Sequence, residues 1–134
     1  MAGFLTPLHL EYLDGISWKV LAPFEYRLGA PDGTESILVP FGFVTDFASV
    51  PRVLWTLLPP TGPYGKAAVI HDWLYHYRRI LPQPRFADRS EADRIFNEAM
   101  QVLQVGRWTR WTVYLGVRTS GWQSWSDYRR KELR

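Results

Sequence analysis

The spacing of apolar residues changes once along the chain, near residue 48, and this change restricts the fold more than any other feature. Before it, apolar and polar residues alternate, as in Leu8, Leu10 and Tyr12 and again in Phe24, Tyr26 and Leu28. Alternation with period two is typical of strands that bury one face. After it, apolar residues recur every three or four positions, which is typical of amphipathic helices. Strands followed by helices predict an α+β fold.

The β-rich part covers residues 1–48. Asp14-Gly15 separates two alternating runs, and this dipeptide favours the tight turn of a β-hairpin. A second turn is expected over residues 29–33, with a further strand from Ile37 to Val44. We therefore expect a small antiparallel meander over residues 7–45.

The helical part covers residues 49–121. Pro51 suits the first position of a short helix that ends before Pro59. A longer helix is expected from residue 63 or 64 to about Ile80, and a third from about Asp88 to Gly106, with Asp88 and Glu91 at capping-box spacing. A last helical segment is expected over residues 108–118. Three or four helices should thus pack on the meander.

Length and composition limit the class of protein. A chain of 134 residues is the size of one domain, so residues 1–134 are expected to form a single unit. The hydrophobic fraction of 46% indicates a folded rather than a disordered chain. The lack of cysteine excludes disulfides, thiolate metal sites and a cysteine nucleophile. We find neither a signal-peptide pattern nor a transmembrane segment, and expect folding in the cytoplasm.

The excess of basic residues lies at the end of the chain. The net charge is +3, and residues 122–134 hold Arg129, Arg130, Lys131 and Arg134. We expect a solvated basic tail, with contact to nucleic acid, an anionic membrane or an acidic partner as the alternative. The helical spacing of Trp108, Trp111 and Leu115 indicates packing, so nucleic-acid binding is not favoured.

Three blocks place ionisable residues where a core is expected. They are Gly42–Arg52, His71–Tyr75 and Ser90–Phe96. Together with neighbouring residues, they resemble, over residues 37–121, the family known as domain of unknown function 1353, which occurs in bacteriophages and prophages. The resemblance implies a phage setting, either in the particle or late in infection, and other phage structural proteins as partners. It implies no established activity.

The sequence His71-Asp72-x-x-Tyr75 predicts one helix face that carries both a histidine and a tyrosine. Asp72 projects roughly 100° away from His71, since successive residues turn by that angle on a helix. Asp93 lies on the next helix and reaches His71 if the two helices pack antiparallel. A carboxylate that fixes one imidazole nitrogen leaves the other free as a general base.

This arrangement is similar to the His-Asp-x-x-Tyr motif of phospholipase A2. The similarity implies that His71 is the base that activates water, that Asp93 and Tyr75 orient it, and that Asp72 binds calcium. Gly62 and Gly65 are the nearest candidates for the glycine-bearing calcium loop, although they lie closer to His71 than in that superfamily. The substrate would be a lipid.

Two other interpretations of these residues stay open. His71, Asp72, Asp93 and Asp46 would suit zinc or another divalent ion, in a hydrolase acting on the cell envelope or on a phosphoester.

Alternatively, His71 and Asp93 form a buried clamp in a non-enzymatic virion component, such as a tail or baseplate protein. Asp46 then caps the short helix, and three arginines neutralise the carboxylates: Arg52, Arg94 and Arg118. Four tryptophans would anchor neighbouring chains: Trp108, Trp111, Trp122 and Trp125. An enzyme should expose His71 and Asp72 in a cleft, whereas a structural component should bury them fully paired.

Overall fold

The computed structural model describes residues 2–14, 17–29, 33–47, 49–56, 65–82 and 85–132. Its strands are β1 Gly3–Phe4, β2 Leu10–Asp14, β3 Ser17–Val20, β4 Phe24–Arg27, β5 Ser36–Val39, β6 Val44–Thr45, β7 Arg79–Ile80 and β8 Arg85–Phe86. A 3-10 helix covers Arg52–Thr56, and the α-helices are α1 Gly65–Tyr77, α2 Arg89–Val102, α3 Arg107–Ser120 and α4 Trp122–Glu132. The predicted α+β class is confirmed.

The N-terminal strands form two antiparallel sheets, so the expected single meander is wrong. One sheet has the order β1-β4-β5 and the other the order β2-β3-β6. The hairpin expected around Asp14 is present as the β2–β3 pair, with Tyr12 opposite Trp18. The next strand does not continue it, because β4 pairs with β1, where the Phe4 ring packs 4.8 Å from the Tyr26 ring. Gly15 and residues 30–32 of the expected turns lie outside the described residues.

Helix α1 lies at the centre of the core and packs on α2 and α4. Nine of its residues are buried: Gly65, Ala67, Ala68, Val69, Ile70, His71, Asp72, Leu74 and Tyr75. The helix stops three residues before the predicted end at Ile80, because Arg78 adopts a left-handed conformation with φ of 61°. The chain then forms the short hairpin β7–β8, which the sequence analysis did not predict.

Residues 122–132 form a packed helix, α4, instead of the expected basic tail, and Arg134 of that tail lies outside the described residues. In α4, Tyr128 is buried and the Trp125 ring lies 5.3 Å from the Tyr75 ring. Arg129 donates hydrogen bonds to the carbonyl oxygens of Tyr75 and His76, at 2.6 and 2.7 Å. Basic side chains near the end of a helix satisfy carbonyls that have no partner within it. Arg129 therefore joins α4 to the C-terminal end of α1.

No helix within the described ranges combines the length and the apolar character needed to cross a bilayer.

A hydrogen bond between Tyr26 and Glu98 joins the β1-β4-β5 sheet to α2. The Tyr26 hydroxyl donates to Glu98 Oε1 at 2.5 Å, and the Tyr26 side chain is fully buried. We expect Tyr26→Phe to lower the free energy of unfolding by about 1–2 kcal/mol, because the partly buried Glu98 carboxylate loses its shortest hydrogen bond. Urea denaturation measures this change. Tyr12→Phe is the control, since Tyr12 is exposed, and equal effects of the two substitutions would contradict the expectation.

Candidate functional site

The carboxylate of Asp93 is the point at which three helices meet. His71 Nε2 lies 2.7 Å from Asp93 Oδ1, and the Tyr75 hydroxyl donates to the same oxygen at 2.7 Å. Arg118 Nη1 donates to Asp93 Oδ2 at 2.8 Å, and Arg89 Nη1 lies 3.6 Å from that oxygen. Both oxygens of the buried carboxylate are thereby bonded or paired.

Helical spacing explains why these side chains converge. His71 and Tyr75 are four residues apart on α1, so they share the face that meets α2. Arg89 and Asp93 are four residues apart on α2, and Arg118 approaches from the last turn of α3. The structure thus brings together the three residues that the sequence analysis assigned to a dyad and its orienting tyrosine.

The last residue of β6 and the loop that follows it supply the other half of the network, around Asp72. Thr45 Oγ1 donates to Asp72 Oδ2 at 2.6 Å, and the Ser49 backbone N–H donates to Asp72 Oδ1 at 3.4 Å. The Phe47 N–H donates to Thr45 Oγ1 at 3.1 Å, and Phe47 has a left-handed φ of 57°. The Ser49 hydroxyl lies 3.0 Å from His71 Nδ1.

Thr45 and Ser49 were not among the predicted site residues. They lie in the Gly42–Arg52 block and are separated by Asp46, Phe47 and Ala48. The available signal was two small hydroxyl residues next to apolar positions, which a buried loop needs if its own polar groups are to be paired. With Ser49 included, a continuous hydrogen-bonded series runs from the Ser49 hydroxyl through the imidazole to Asp93.

The hydroxyl, imidazole and carboxylate side chains of the network are buried, and its exposed part belongs to Arg89 and Arg118. Thr45, His71, Asp72 and Asp93 have no exposed surface, and Ser49 is 1% exposed. The His71 ring centroid lies 4.3 Å from that of Tyr75 and 4.4 Å from that of Phe96. Since both nitrogens of the ring have hydrogen-bond partners as well, the imidazole is enclosed.

The environment of Asp93 favours its ionised form. Burial by itself raises the pKa of a carboxyl group, but the hydrogen bonds from His71, Tyr75 and Arg118 outweigh burial and lower the pKa of Asp93. An ionised Asp93 accepts at Oδ1, so Nε2 of His71 carries a hydrogen. In the neutral ring, Nδ1 then accepts from the Ser49 hydroxyl, a tautomer assigned from the partners of the two nitrogens.

Asp72 lies in the opposite electrostatic environment. Burial, with a smaller contribution from the charge of Asp46, raises the pKa of Asp72 to about 6, against the hydrogen bonds from Thr45 and Ser49 that lower it. His76 Nε2 lies 3.6 Å from Asp72 Oδ2, but burial lowers the pKa of His76 to about 4. His76 is therefore neutral at pH 7 and gives Asp72 no counter-charge.

The predicted carboxylate ligands do not form a metal-binding group among the described residues. Asp46 is partly exposed and lines an open pocket of about 310 Å³ with His76, Asp127 and Lys131. Gly65 is the first residue of α1, and seven residues of helix place it about 10 Å from Asp72 along the axis.

Gly62, the other glycine expected to contribute, lies outside the described residues. Within the described ranges, no group of three or more histidine, aspartate or glutamate side chains is arranged to hold a metal ion. Asp72 Oδ2 accepts from Thr45 and Oδ1 accepts from Ser49, so both oxygens have partners and the described donors do not fit a metal site.

The prediction that Arg52, Arg94 and Arg118 neutralise the buried carboxylates is correct only for Arg118. Arg118 bonds Asp93, but Arg52 and Arg94 are exposed, and Arg89 takes the second place on Asp93. Arg94 follows Asp93 directly, so it projects about 100° away on the helix, whereas a residue four positions earlier shares its face.

At Gly121, the backbone between α3 and α4 lies against the Tyr75 hydroxyl of the network. A Cβ added at Gly121 would lie 2.5 Å from the Val117 carbonyl oxygen and 2.6 Å from the Tyr75 hydroxyl oxygen. Both distances are far below normal contact. The close approach of the corner to the hydroxyl that bonds Asp93 thus requires glycine at this position.

Fold and site together define a small α+β protein whose helices meet at a buried imidazole–carboxylate network. The chain belongs to the family described as "Protein of unknown function (DUF1353)", which it matches over residues 18–117, about three-quarters of its length. The predicted family membership is confirmed. The matched range holds the whole network except Arg118, which follows it directly. Neither curated proteins nor solved structures gave a match.

The raised pKa of Asp72 predicts a specific dependence of stability on pH. The folded state binds a proton more tightly than the unfolded state, whose pKa is near 3.8. The resulting stabilisation is complete below about pH 4 and is lost as the pH rises through about 6, a change of up to about 3 kcal/mol. Asp93, with a lowered pKa, acts in the opposite direction and loses its contribution on acidification.

We expect Asp72→Asn to lack this component, because asparagine does not ionise. Urea denaturation at several pH values between 4 and 7.5 gives the difference in unfolding free energy between wild type and variant. That difference should change with pH in favour of the variant as the pH rises. Parallel curves for the two proteins would show that Asp72 titrates normally.

Proposed function

We propose that this protein is a non-enzymatic structural component of a larger assembly, in which His71, Asp72 and Asp93 form a buried polar clamp. One observation carries the proposal: these three side chains have no exposed surface and have polar partners at both ring nitrogens and at all four carboxylate oxygens. A catalytic group has to touch its substrate, whereas a clamp has to be enclosed and complete.

The energetics of burial support this role. Removing an ionised carboxylate from water costs several kcal/mol, which is recovered only when charges and hydrogen bonds replace the water. Asp93 has two arginines, a hydroxyl and an imidazole in that position. The partners come from α1, α2 and α3, so the network fixes the relative positions of three helices. Rigidity of that kind suits a protein that presents a surface to neighbours.

The expected setting is a phage or prophage particle, with other phage structural proteins as partners and the host cytoplasm as the place of synthesis. This setting rests on the resemblance of the sequence to a phage-associated family. Exposed tryptophans support a surface for neighbours, since Trp108, Trp111 and Trp122 are each at least half exposed. Tryptophan is enriched among the residues that dominate protein interfaces.

We expect His71→Gln to lower the free energy of unfolding by about 3 kcal/mol or more, because the change strands both Asp93 and Ser49 in the core. Guanidinium denaturation followed by circular dichroism measures it. The matched control is His9→Gln, since the His9 side chain is exposed. A loss below about 1 kcal/mol would mean that the imidazole does not hold the helices together, and the clamp would be rejected.

A hydrolase with His71 as general base is the second candidate, and the geometry of the dyad favours it. Asp93 bonds Nε2 and Tyr75 steadies the same carboxylate oxygen, as the similarity to phospholipase A2 implies. The Ser49 hydroxyl then occupies the position at Nδ1 from which a base would take a proton. Catalysis would require the loop around Ser49 to move away. The substrate would be a lipid or an envelope component, with calcium or zinc as the expected ion.

Calorimetric titration with calcium and with zinc tests this second candidate, because it assigns Asp72 as a ligand. On the clamp proposal, neither ion binds, since Thr45 and Ser49 bond both oxygens of that carboxylate. Saturable binding that is lost in Asp72→Asn and kept in the exposed control Asp14→Asn would favour the hydrolase. Assays with phospholipid and envelope substrates would then follow.

A further inference from the structure

Helix α3 exposes an apolar stripe on the side that faces away from the core. Trp108 is 78% exposed, Trp111 50% and Leu115 52%, and Trp122 at the start of α4 is 58% exposed. The three α3 residues follow helical spacing, so they share one face. Only Val113 and Val117 of this helix are buried. The outward side of a surface helix is normally polar, whereas this one carries two tryptophans and a leucine among its exposed residues.

The hydroxyl groups of this region do not restore polarity. Thr112 Oγ1 donates to the Trp108 carbonyl oxygen at 2.9 Å, and Thr119 Oγ1 donates to that of Leu115 at 2.9 Å. Ser120 Oγ donates to the Gly116 carbonyl oxygen at 2.6 Å. Each hydroxyl hydrogen is therefore used within the helix. The face offers little to water and is suited to contact with another apolar surface.

The middle of the stripe carries no charge. Helix α3 contains no lysine, aspartate or glutamate. Among its arginines, Arg118 is bound to Asp93 and Arg110 donates to the Val105 carbonyl oxygen. Arg107, at the first position, lies over the Trp108 ring at 5.5 Å. Two such faces can meet without bringing like charges together, provided that their Arg107 ends are kept apart.

We infer that the stripe binds a second copy of this chain, with the two α3 helices antiparallel about Leu115. This pairing sets Leu115 against its equivalent and Trp111 beside Thr119 of the second copy. It sets Trp108 near Trp122 of the second copy, so the two arginines at position 107 lie at opposite ends. Antiparallel helices also place the positive end of one dipole beside the negative end of the other.

The exposed apolar area of the stripe is large enough for a weak dimer. Three tryptophans and a leucine that expose half or more of roughly 200 Å² each offer about 500 Å² per copy, or about 1,000 Å² per pair. That is the lower limit for a specific interface, so we expect a dissociation constant on the order of micromolar. The inference deepens the proposed assembly role by naming the first contact as self-association.

Sedimentation velocity over a range from about 1 to about 500 μM tests the inference and brackets the expected dissociation constant. The wild type should pass from monomer to dimer as its concentration rises. Trp111→Glu should raise the dissociation constant at least about tenfold, because a buried interface tryptophan is replaced by a charge. Phe41→Glu is the control: Phe41 is 60% exposed in a different part of the chain, and this variant should dimerise like the wild type. Leu115→Glu is a second interface variant, should Trp111→Glu fail to fold.

A wild type that stays monomeric at every concentration would overturn the inference, as would dimerisation unchanged in both interface variants. Flotation with phosphatidylglycerol vesicles is run in parallel. A monomer that binds these vesicles through Trp111 would assign the stripe to an anionic lipid surface and reject the second copy. These outcomes are independent of the stability of His71→Gln, so failure of the dimer and failure of the clamp are told apart.

Discussion

The burial of one ionised carboxylate, that of Asp93, is the constraint on which the arrangement of the helices depends. A charge with no exposed surface requires donors in fixed directions, and no single helix can provide them all. The hydrogen-bond donors come from the middle of α1 and the end of α3, and Arg89 at the start of α2 adds a positive charge 3.6 Å from Oδ2. Any relative shift of these helices would separate a charge from its partner. The hydrophobic core makes the protein compact, and this carboxylate selects one packing among the compact ones.

The two buried aspartates differ in how their charge is compensated. Asp93 has two arginines, whereas Asp72 has a hydroxyl, a backbone amide and a neutral histidine. Dipoles alone do not offset the loss of hydration, and the nearby Asp46 adds repulsion. The pKa values therefore move in opposite directions within one connected network. The half around Asp93 is held by charge and the half around Asp72 by hydrogen bonds from a loop.

Helical spacing predicted only part of the helical half of this site, namely that His71 and Tyr75 share one face of a helix. Asp93 was added by the expectation that the next helix packs antiparallel and by the similarity to the phospholipase A2 motif. Arg89 was missed although the same spacing applies, since the sequence alone did not show which arginine lay near enough to bond Asp93. The split into two sheets was missed because strand partners are chosen by distant residues, here by Phe4 packing on Tyr26. Helix α4 was predicted to be a solvated tail, because the sequence does not show that Arg129 lies beside the end of α1 and donates to its carbonyl oxygens.

The contacts of Thr45 and Ser49 with Asp72 and His71 could not be predicted from the sequence. Their contacts depend on the path of a segment that has no periodic pattern, and one residue of that segment, Phe47, has a positive φ. No spacing rule indicates which hydroxyl will meet which carboxylate. The family match covers the Gly42–Arg52 block and helices α1 and α2. It supports treating the three blocks of the sequence as parts of one network.

The contacts of this loop limit how its length can vary. Surface loops usually accept inserted residues, because their backbone is hydrated and their ends stay in place. Here Thr45 and Ser49 hold the two oxygens of one buried carboxylate, so the number of residues between them sets the distance that the chain must span. One added or lost residue would move the Ser49 hydroxyl away from His71 as well. Homologous chains should therefore vary in length elsewhere and keep this interval constant.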